Sequence, residues 1–379
     1  MKSKKTVAIF ALASFFNDLG SDIIYPVWPL FVTTFLGADM AALGFIDGLG
    51  DAVVSIAKAF SGYASDRLQK RKVFIWTGYV LGSLSRVGYA LSGTWLHIIP
   101  FRVLDRAGKI RSSPRDAIIA DISTKRARGR NFGLVRAMDN LGAVCGIIVC
   151  IMLFKRLGYR NLFLLAAIPS VIAALLILFF IHEKKTPRVS IFKGLSLCDL
   201  DGNFRLFLLA SSVFALGSFS YSFLLIFAKQ SGFQITFIPV LYLIYTAAAS
   251  LVSLPFGHLS DRVGRKGVLL LSLFFWILVC LSLLLAHGYT AIIFTFILYG
   301  MHKGGLETVQ RTLVAELAPA KLRASCLGGF QMVMGLCALP ASLVAGLLWE
   351  RVGMLTPFYL SLGLTVLAMG MLLFVREKG

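Results

Sequence analysis

The chain of 379 residues is 58% apolar and only 15% charged, whereas a soluble domain is about half apolar and a quarter charged, so a water-soluble globule is excluded. A formal charge of +20 would suit a nucleic-acid binder, but the basic residues sit in short clusters between apolar runs, where they mark membrane edges rather than a basic face. Those runs are about twenty residues long, enough to cross about 30 Å of hydrocarbon as a helix, and they lack the alternation of a barrel strand.

Backbone inside lipid must satisfy its own hydrogen bonds, so each run is read as a helix. Twelve spans are expected near 7–35, 40–63, 73–93, 95–119, 131–154, 160–182, 204–229, 236–258, 267–287, 289–315, 324–349 and 354–375. Span one follows a basic start resembling a signal peptide, but Asn17, Asp18 and Asp22 interrupt its apolar run and no small-residue cleavage site follows, so it is expected to be retained. Asp18, Ser21, Asp22 and Tyr25 share one face of it, with Pro26 just beyond. Span two places Asp47, Asp51 and Lys58 together, and span three holds only Arg86. Span four has the densest stripe: Arg102, Asp105, Arg106 and Lys109 at spacing i, i+3, i+4, i+7. Arg111, Arg115, Asp116, Asp121 and Arg128, nearer its end, read as gate or interfacial residues. Span five adds Arg136, Asp139 and Asn140, and span ten adds Lys303, Glu307, Gln310 and Arg311. Spans six, nine and twelve have no ionisable residue in their central stretches.

Several chemistries have no support. Six scattered cysteines show no C-x-x-C spacing, and Met301-His302 with Met332 and Met334 reads as core packing rather than a copper site. There is no Walker loop and no G-x-S-x-G elbow, so neither direct ATP use nor catalysis is expected, and no cofactor or metal is assigned.

If the spans alternate, the clusters at Lys2/Lys4/Lys5, Arg67/Lys70/Arg71/Lys72, Lys125/Arg126/Arg128/Arg130, Lys184/Lys185/Arg188/Lys193, Arg262/Arg265/Lys266, Lys321/Arg323 and Arg376/Lys378 all fall on one side. The positive-inside rule makes that side cytoplasmic and puts both termini there. The chain also repeats itself at an offset of 195 residues. Gly62, Asp66 and Arg67 fall on Gly257, Asp261 and Arg262; Asp121, Arg126, Arg128 and Gly133 fall on Glu316, Lys321, Arg323 and Gly328; Arg156, Gly158 and Phe163 fall on Arg351, Gly353 and Phe358. Each copy spans six helices, which makes the copies parallel and related by an axis along the membrane normal. The expected organisation is an N-terminal six-helix bundle at 1–182, a cytoplasmic linker at 183–203 and a C-terminal bundle at 204–379.

Gly62-Tyr-Ala-Ser-Asp66-Arg67-Leu-Gln-Lys-Arg71-Lys72 and Gly257-His-Leu-Ser-Asp261-Arg262-Val-Gly264-Arg265-Lys266 resemble the G-x-x-x-D-R-x-G-R-R/K loop of the major facilitator superfamily, placed after the second and eighth helices as in that family. The first copy lacks the middle glycine and carries Gln69. The resemblance implies that Gly62, Asp66, Arg67, Gly257, Asp261 and Arg262 brace a cytoplasmic gate. It further implies that spans one, four, seven and ten line a cavity while three, six, nine and twelve face lipid. Arg102-Val-Leu-Asp-Arg106-Ala-Gly108 through Pro114 partly resembles a fourth-helix pattern linked in the family to proton coupling. Span five has Gly142-Ala-Val-Cys-Gly146 but not the G-P pair of the family's drug/proton antiporters.

Charges within spans cost about 2.5–3.5 kcal/mol each on insertion scales, so as a group they mark where water and solute go, although any single one is equally explained by a static ion pair. The expected function is secondary active transport by proton-coupled alternating access. Arg102, Arg106, Lys109, Tyr25, Arg136, Lys303 and Glu307 are the candidate substrate ligands, and Asp22, Asp51, Asp18, Asp47 and Asp139 the candidate proton carriers. The cationic stripe on span four points to an organic anion or zwitterion, since Arg holds a carboxylate with two hydrogen bonds. Efflux of cationic or lipophilic drugs, drawn by Asp18, Asp22, Asp47 and Asp51, is the alternative; a membrane sensor on a transporter fold is a third reading. The partners expected are a small solute, protons and the lipid bilayer, with no nucleic acid, for a monomer in a bacterial cytoplasmic (inner) membrane.

Overall fold

A computed structural model describes residues 2–68, 70–124, 127–181, 201–285, 288–319 and 323–377. Most of the 183–203 linker, with Cys198 and the basic residues Lys125, Arg126, Lys184, Lys185, Arg188, Lys193, Lys321 and Lys378, lies outside them, as do Gln69 and the side chains of Asp66 and Arg323. All regular structure among the described residues is helical. Span one is built from Lys2–Ile24, a short turn at Trp28–Leu30 and a π-helical stretch at Phe31–Phe35; span two is Met40–Leu68 and span three Arg71–Leu91. Span four is Trp95–Ala107 and Ser112–Ile122 joined by a tighter 3-10 turn at Gly108–Arg111. The helix Arg128–Phe180 holds spans five and six, divided at Gly158, whose φ of 66° only glycine takes readily. Gly202–Gly217 and Ser222–Gln230 make span seven. Ile238–Val263, Arg265–Leu285, Tyr289–Leu317, Arg323–Arg351 and Thr356–Leu373 follow as spans eight to twelve.

By length and apolarity alone, eight of the described helical stretches can cross a membrane, fewer than the twelve expected. Arg128–Phe180 counts once although it holds two expected spans, and the helices of spans three, four and ten are not among the eight. Their polar residues are the reason: Arg86 in span three, the Arg102 to Lys109 stripe in span four, and Lys303 to Arg311 in span ten.

The internal repeat is visible in the helix breaks. Span one leaves the helix after Ile24 and span seven after Gly217, within a few residues of the 195-residue offset. Pro26 explains the first break, since it removes an N–H donor and clashes with the preceding turn. No proline lies between Gly217 and Ser222. Gly353, the partner of Gly158, also has a positive φ, of 155°.

Two compact units result: Met1–Ala38 with Val53–Phe192, and Asp39–Ala52 with Lys193–Gly379. The division falls inside the helix of span two, so its first residues pack with the second unit. In that unit a Cβ on Gly44 would lie 2.1 Å from the Ser342 carbonyl oxygen, and one on Gly346 would lie 2.2 Å from that of Met40. In the first unit Val7, Phe10, Ile75, Tyr79, Ile119 and Ile177 form a buried core drawn from spans one, three, four and six.

Span five approaches span one through glycine. A Cβ on Gly142 would sit 2.3 Å from the Phe15 carbonyl oxygen, and one on Gly146 would sit 2.3 Å from that of Leu19. Small residues are what allow such backbone contact between membrane helices. Gly146→Val is therefore expected to destabilise the protein by about 1–3 kcal/mol, the usual scale of overpacking, and to lower its melting temperature in detergent. An unchanged melting temperature would show that the two helices separate without cost.

Candidate functional site

In the first unit the broken end of span one meets span four. The backbone turns at Tyr25–Val27, and this turn presents Tyr25 and Trp28 to the stripe on span four. The Arg102 guanidinium carbon lies 4.3 Å from the centre of the Trp28 ring, and that of Arg106 lies 5.2 Å from the Tyr25 ring. Both are cation–π distances. Arg106 Nη1 donates to the Tyr25 hydroxyl at 3.4 Å, and its Nε lies 3.7 Å from Asp105 Oδ2. Trp28 in turn packs on Tyr89 with ring centres 4.9 Å apart. Arg102, Asp105 and Asp22 are buried, while Arg106 and Lys109 are half-buried. Close backbone contact between Gly78 and Gly108 fixes span four at its 3-10 turn, just past the stripe.

Two further arginines tie the same bundle together. Arg86, on a span expected to face lipid, is turned inward and fully enclosed. Its Nη2 donates to Ser21 Oγ at 2.7 Å and to the Asn17 carbonyl at 3.1 Å, and its Nη1 donates to the Ala166 carbonyl at 3.4 Å. Arg115 donates to Ser14 Oγ at 2.7 Å and to Asp116 at 2.9 Å, with Asp139 3.8 Å away. Asp18 accepts from the Asn17 side chain at 2.8 Å. Arg136 is exposed.

The second unit has its own polar centre at the break in span seven. Asp47 Oδ2 accepts from Ser220 Oγ at 2.7 Å and from Ser222 Oγ at 2.5 Å, and the two hydroxyl oxygens are 3.1 Å apart. Beside this break stands a set of tyrosines: Tyr221 against Tyr242 at 5.2 Å, Tyr242 against Tyr245 at 4.9 Å, and Tyr245 against Tyr299 at 5.2 Å. The Lys303 ammonium lies 5.7 Å from the Tyr299 ring. Asp51 and Glu307 are exposed. His302 belongs to the core: its Nδ1 donates to the Ser272 carbonyl at 2.8 Å, and Trp276 packs on it at 5.2 Å. A surface recess of about 320 Å³ lined by Phe233, Phe237, Tyr289 and Ile293 includes none of the candidate ligands or carriers.

The repeated loops carry matched ion pairs. Arg71 pairs with Asp121 at 2.5 Å, and Arg265 pairs with Glu316 at 3.1 Å and with Asp261 at 2.5 Å. Asp121 and Glu316 are related by the 195-residue offset, whereas Arg71 falls on Lys266, the residue next to Arg265. Arg67 and Arg262 are exposed, with Arg67 donating to the Tyr63 hydroxyl at 3.4 Å, and a Cβ on Gly62 or Gly257 would reach ordinary contact with Ser113 or Thr308.

The family model of the Major Facilitator Superfamily matches this chain twice, over residues 10–227 and 206–379. The chain belongs to the major facilitator superfamily. It is 33% identical over 383 residues to an uncharacterized MFS-type transporter of Methanocaldococcus jannaschii, covering 98% of this chain and 95% of that one. It is 26% identical over 195 residues to the quinolone resistance protein NorA of Staphylococcus aureus, about half of each chain at 50% and 49%. Among solved structures, a mutant form of the nucleoside transporter NupG superposes with a TM-score of 0.80 at 17% identity, covering 98% of this chain and 100% of that one. A POT family transporter in complex with 5-aminolevulinic acid gives 0.77 at 14%, covering 97% and 95%. At such identities the structures speak for the fold. As a superfamily member, the chain is a membrane-spanning transporter acting on a small molecule.

Proposed function

We propose that this superfamily member is a secondary active transporter for a small organic anion or zwitterion, driven by protons through alternating access. The observation that carries the substrate class is the pair Arg102 and Arg106, each set against an aromatic face of the broken first span. A guanidinium stacked on a ring keeps its fork of N–H donors pre-oriented at the edge, which suits a carboxylate. Tyr25, Lys109 and Arg136 are the further ligands proposed from the first unit, with Lys303 and Glu307 from the second. The ion pairs of the repeated loops favour a cytoplasmic gate built on Gly62, Asp66, Arg67, Gly257, Asp261 and Arg262. Both termini and the gate are placed on the cytoplasmic side of the cell's cytoplasmic membrane, and the transporter is taken to work as a monomer. Efflux of cationic or lipophilic compounds is the second reading, favoured by the partial likeness to NorA and by Asp18, Asp22, Asp47 and Asp51.

Asp22 is the proposed proton carrier, since it is buried one helical turn before the Tyr25–Val27 break, where Pro26 loosens the helix locally. Asp51 is the second choice, with Asp18 and Asp139 as accessory carboxylates. In proteoliposomes, Asp22→Asn is expected to abolish transport driven by a pH gradient while exchange of solute without a gradient persists. Gradient-driven transport surviving in both Asp22→Asn and Asp51→Asn would exclude them as carriers.

A further inference from the structure

Asp47 stands apart from the other carboxylates of the spans. It is 3% exposed, and two hydroxyls from span seven, Ser220 in the break and Ser222 at the start of the helix that follows, converge on one of its oxygens. Both hydroxyls act as donors to that one oxygen. The hydroxyls, however, can rotate and offer lone pairs instead of hydrogens. Three hard oxygens, one of them anionic, would then face a common point.

The backbone beside them is partly engaged: the Ser220 carbonyl accepts from the Phe223 N–H at 3.1 Å, and that of Tyr221 from the Leu224 and Leu225 N–H groups at 3.1 and 3.2 Å. Ser218–Tyr221 leaves the helix at Gly217-Ser218, a small-residue pair of the kind at which helices break without proline. Non-helical backbone at membrane depth is tolerated where it lines a site, and in transporters the carbonyls and C-terminal ends of broken helices coordinate cations. Here the C-terminal end of Gly202–Gly217 opens into this stretch. The single carboxylate sets the charge of the ion. Among the described residues no three His, Cys, Asp or Glu side chains gather as a divalent or transition metal would require.

We propose that Asp47, Ser220 and Ser222, with the non-helical backbone of Ser218 and Phe219, form a sodium site. The ion joins the first part of span two to the break in span seven, both within the second unit. It thereby holds the Asp39–Ala52 segment in place. The site is separate from Asp22 and does not depend on that residue carrying a proton.

The test uses the purified full-length protein in detergent, unfolded thermally at constant ionic strength in chloride salts of choline, potassium, lithium or sodium. A ligand that binds only the folded state raises apparent stability with the logarithm of its concentration once above its dissociation constant. Sodium is expected to raise the melting temperature progressively, with potassium matching choline. Ser222→Ala and the double variant Ser220→Ala/Ser222→Ala are expected to lose the rise. Ser253→Ala, which removes a hydroxyl bonded only within its own helix to the Ala249 carbonyl, is expected to keep it. The alanine variants avoid reliance on Asp47→Ala, which leaves the serines without their acceptor. No sodium response in the unmodified protein, or a response that survives in the double serine variant, overturns the site. Gradient-driven transport lost in Asp22→Asn with the sodium response intact shows the two ions bound at separate places, as proposed.

Discussion

Replacing Arg86 by leucine is expected to leave little folded protein in the membrane. The guanidinium is 2% exposed and donates to three acceptors, Ser21 Oγ and the carbonyls of Asn17 and Ala166, contributed by spans one and six. Its path crosses Gly20, where a Cβ would lie 2.5 Å from Nη1, so the backbone of span one is shaped around it. Hydrogen bonds to charged groups contribute about 1.5–3 kcal/mol each. Losing three of them approaches the whole stability of a typical protein, about 5–15 kcal/mol. Within lipid the abandoned acceptors have no water to turn to, which adds to the loss. Arg86→Lys is expected to fall between, because an ammonium supplies three donors but not the planar fork that spans two helices. Membrane yield and the melting temperature of the detergent-solubilised protein measure both. A leucine variant with normal yield and melting temperature would show that Arg86 is held in place by its surroundings rather than holding them.

Removing Arg102 is expected to act on the solute instead. Arg102→Ala and Arg106→Ala should each weaken binding of an organic anion by about 1.5–3 kcal/mol, or about tenfold to a hundredfold. The two differ in their surroundings: Arg102 is buried against Trp28, whereas Arg106 is half-buried and engages the Tyr25 hydroxyl and Asp105. Arg106→Ala should therefore also remove one of the cations around Asp105, and the combined variant Asp105→Asn/Arg106→Ala should regain part of the lost stability without regaining affinity. Isothermal titration with a panel of carboxylates and amino acids separates the outcomes. Normal affinity with lowered stability in both single variants would make the stripe a structural ion-pair network. A cationic ligand bound more tightly after the arginine is removed would favour the efflux reading.

Much of the first-unit centre was legible because lipid makes charges rare. Arg102, Asp105, Arg106 and Lys109 announce themselves by spacing alone, and Pro26 marks the break beside Tyr25. The polar centre of the second unit was less legible for the same reason inverted. Ser220 and Ser222 are ordinary residues of a membrane span, and the Gly217-Ser218 pair at the break is a weaker mark than a proline. The spacing of Tyr242 and Tyr245, and of Tyr299 and Lys303, would have hinted at the tyrosine set, but bringing Tyr221 to it takes tertiary packing. Arg86 stands alone on a span expected to face lipid, and a lone charge carries no periodicity from which to infer its direction. The membership of Asp39–Ala52 in the second unit likewise depends on contacts far apart in the chain, such as the Met40 N–H donating to Glu350 at 3.4 Å.

The glycine contacts between spans one and five bear on how mutational tolerance in this chain will look. At Gly142 and Gly146 the obstacle to change is the carbonyl oxygen of a neighbouring helix, which has no rotamer by which to yield. Alanine, the usual probe for deleting a side chain, is an insertion there, and it arrives as close to backbone as valine does. A saturation survey scored on growth would thus rank these two positions among the least tolerant for reasons of thickness, beside arginines that rank there for their charge. Only the pattern across substitutions tells them apart, since at the glycines harm grows with volume and ignores polarity, whereas at Arg102 a neutral side chain of similar size is also harmful.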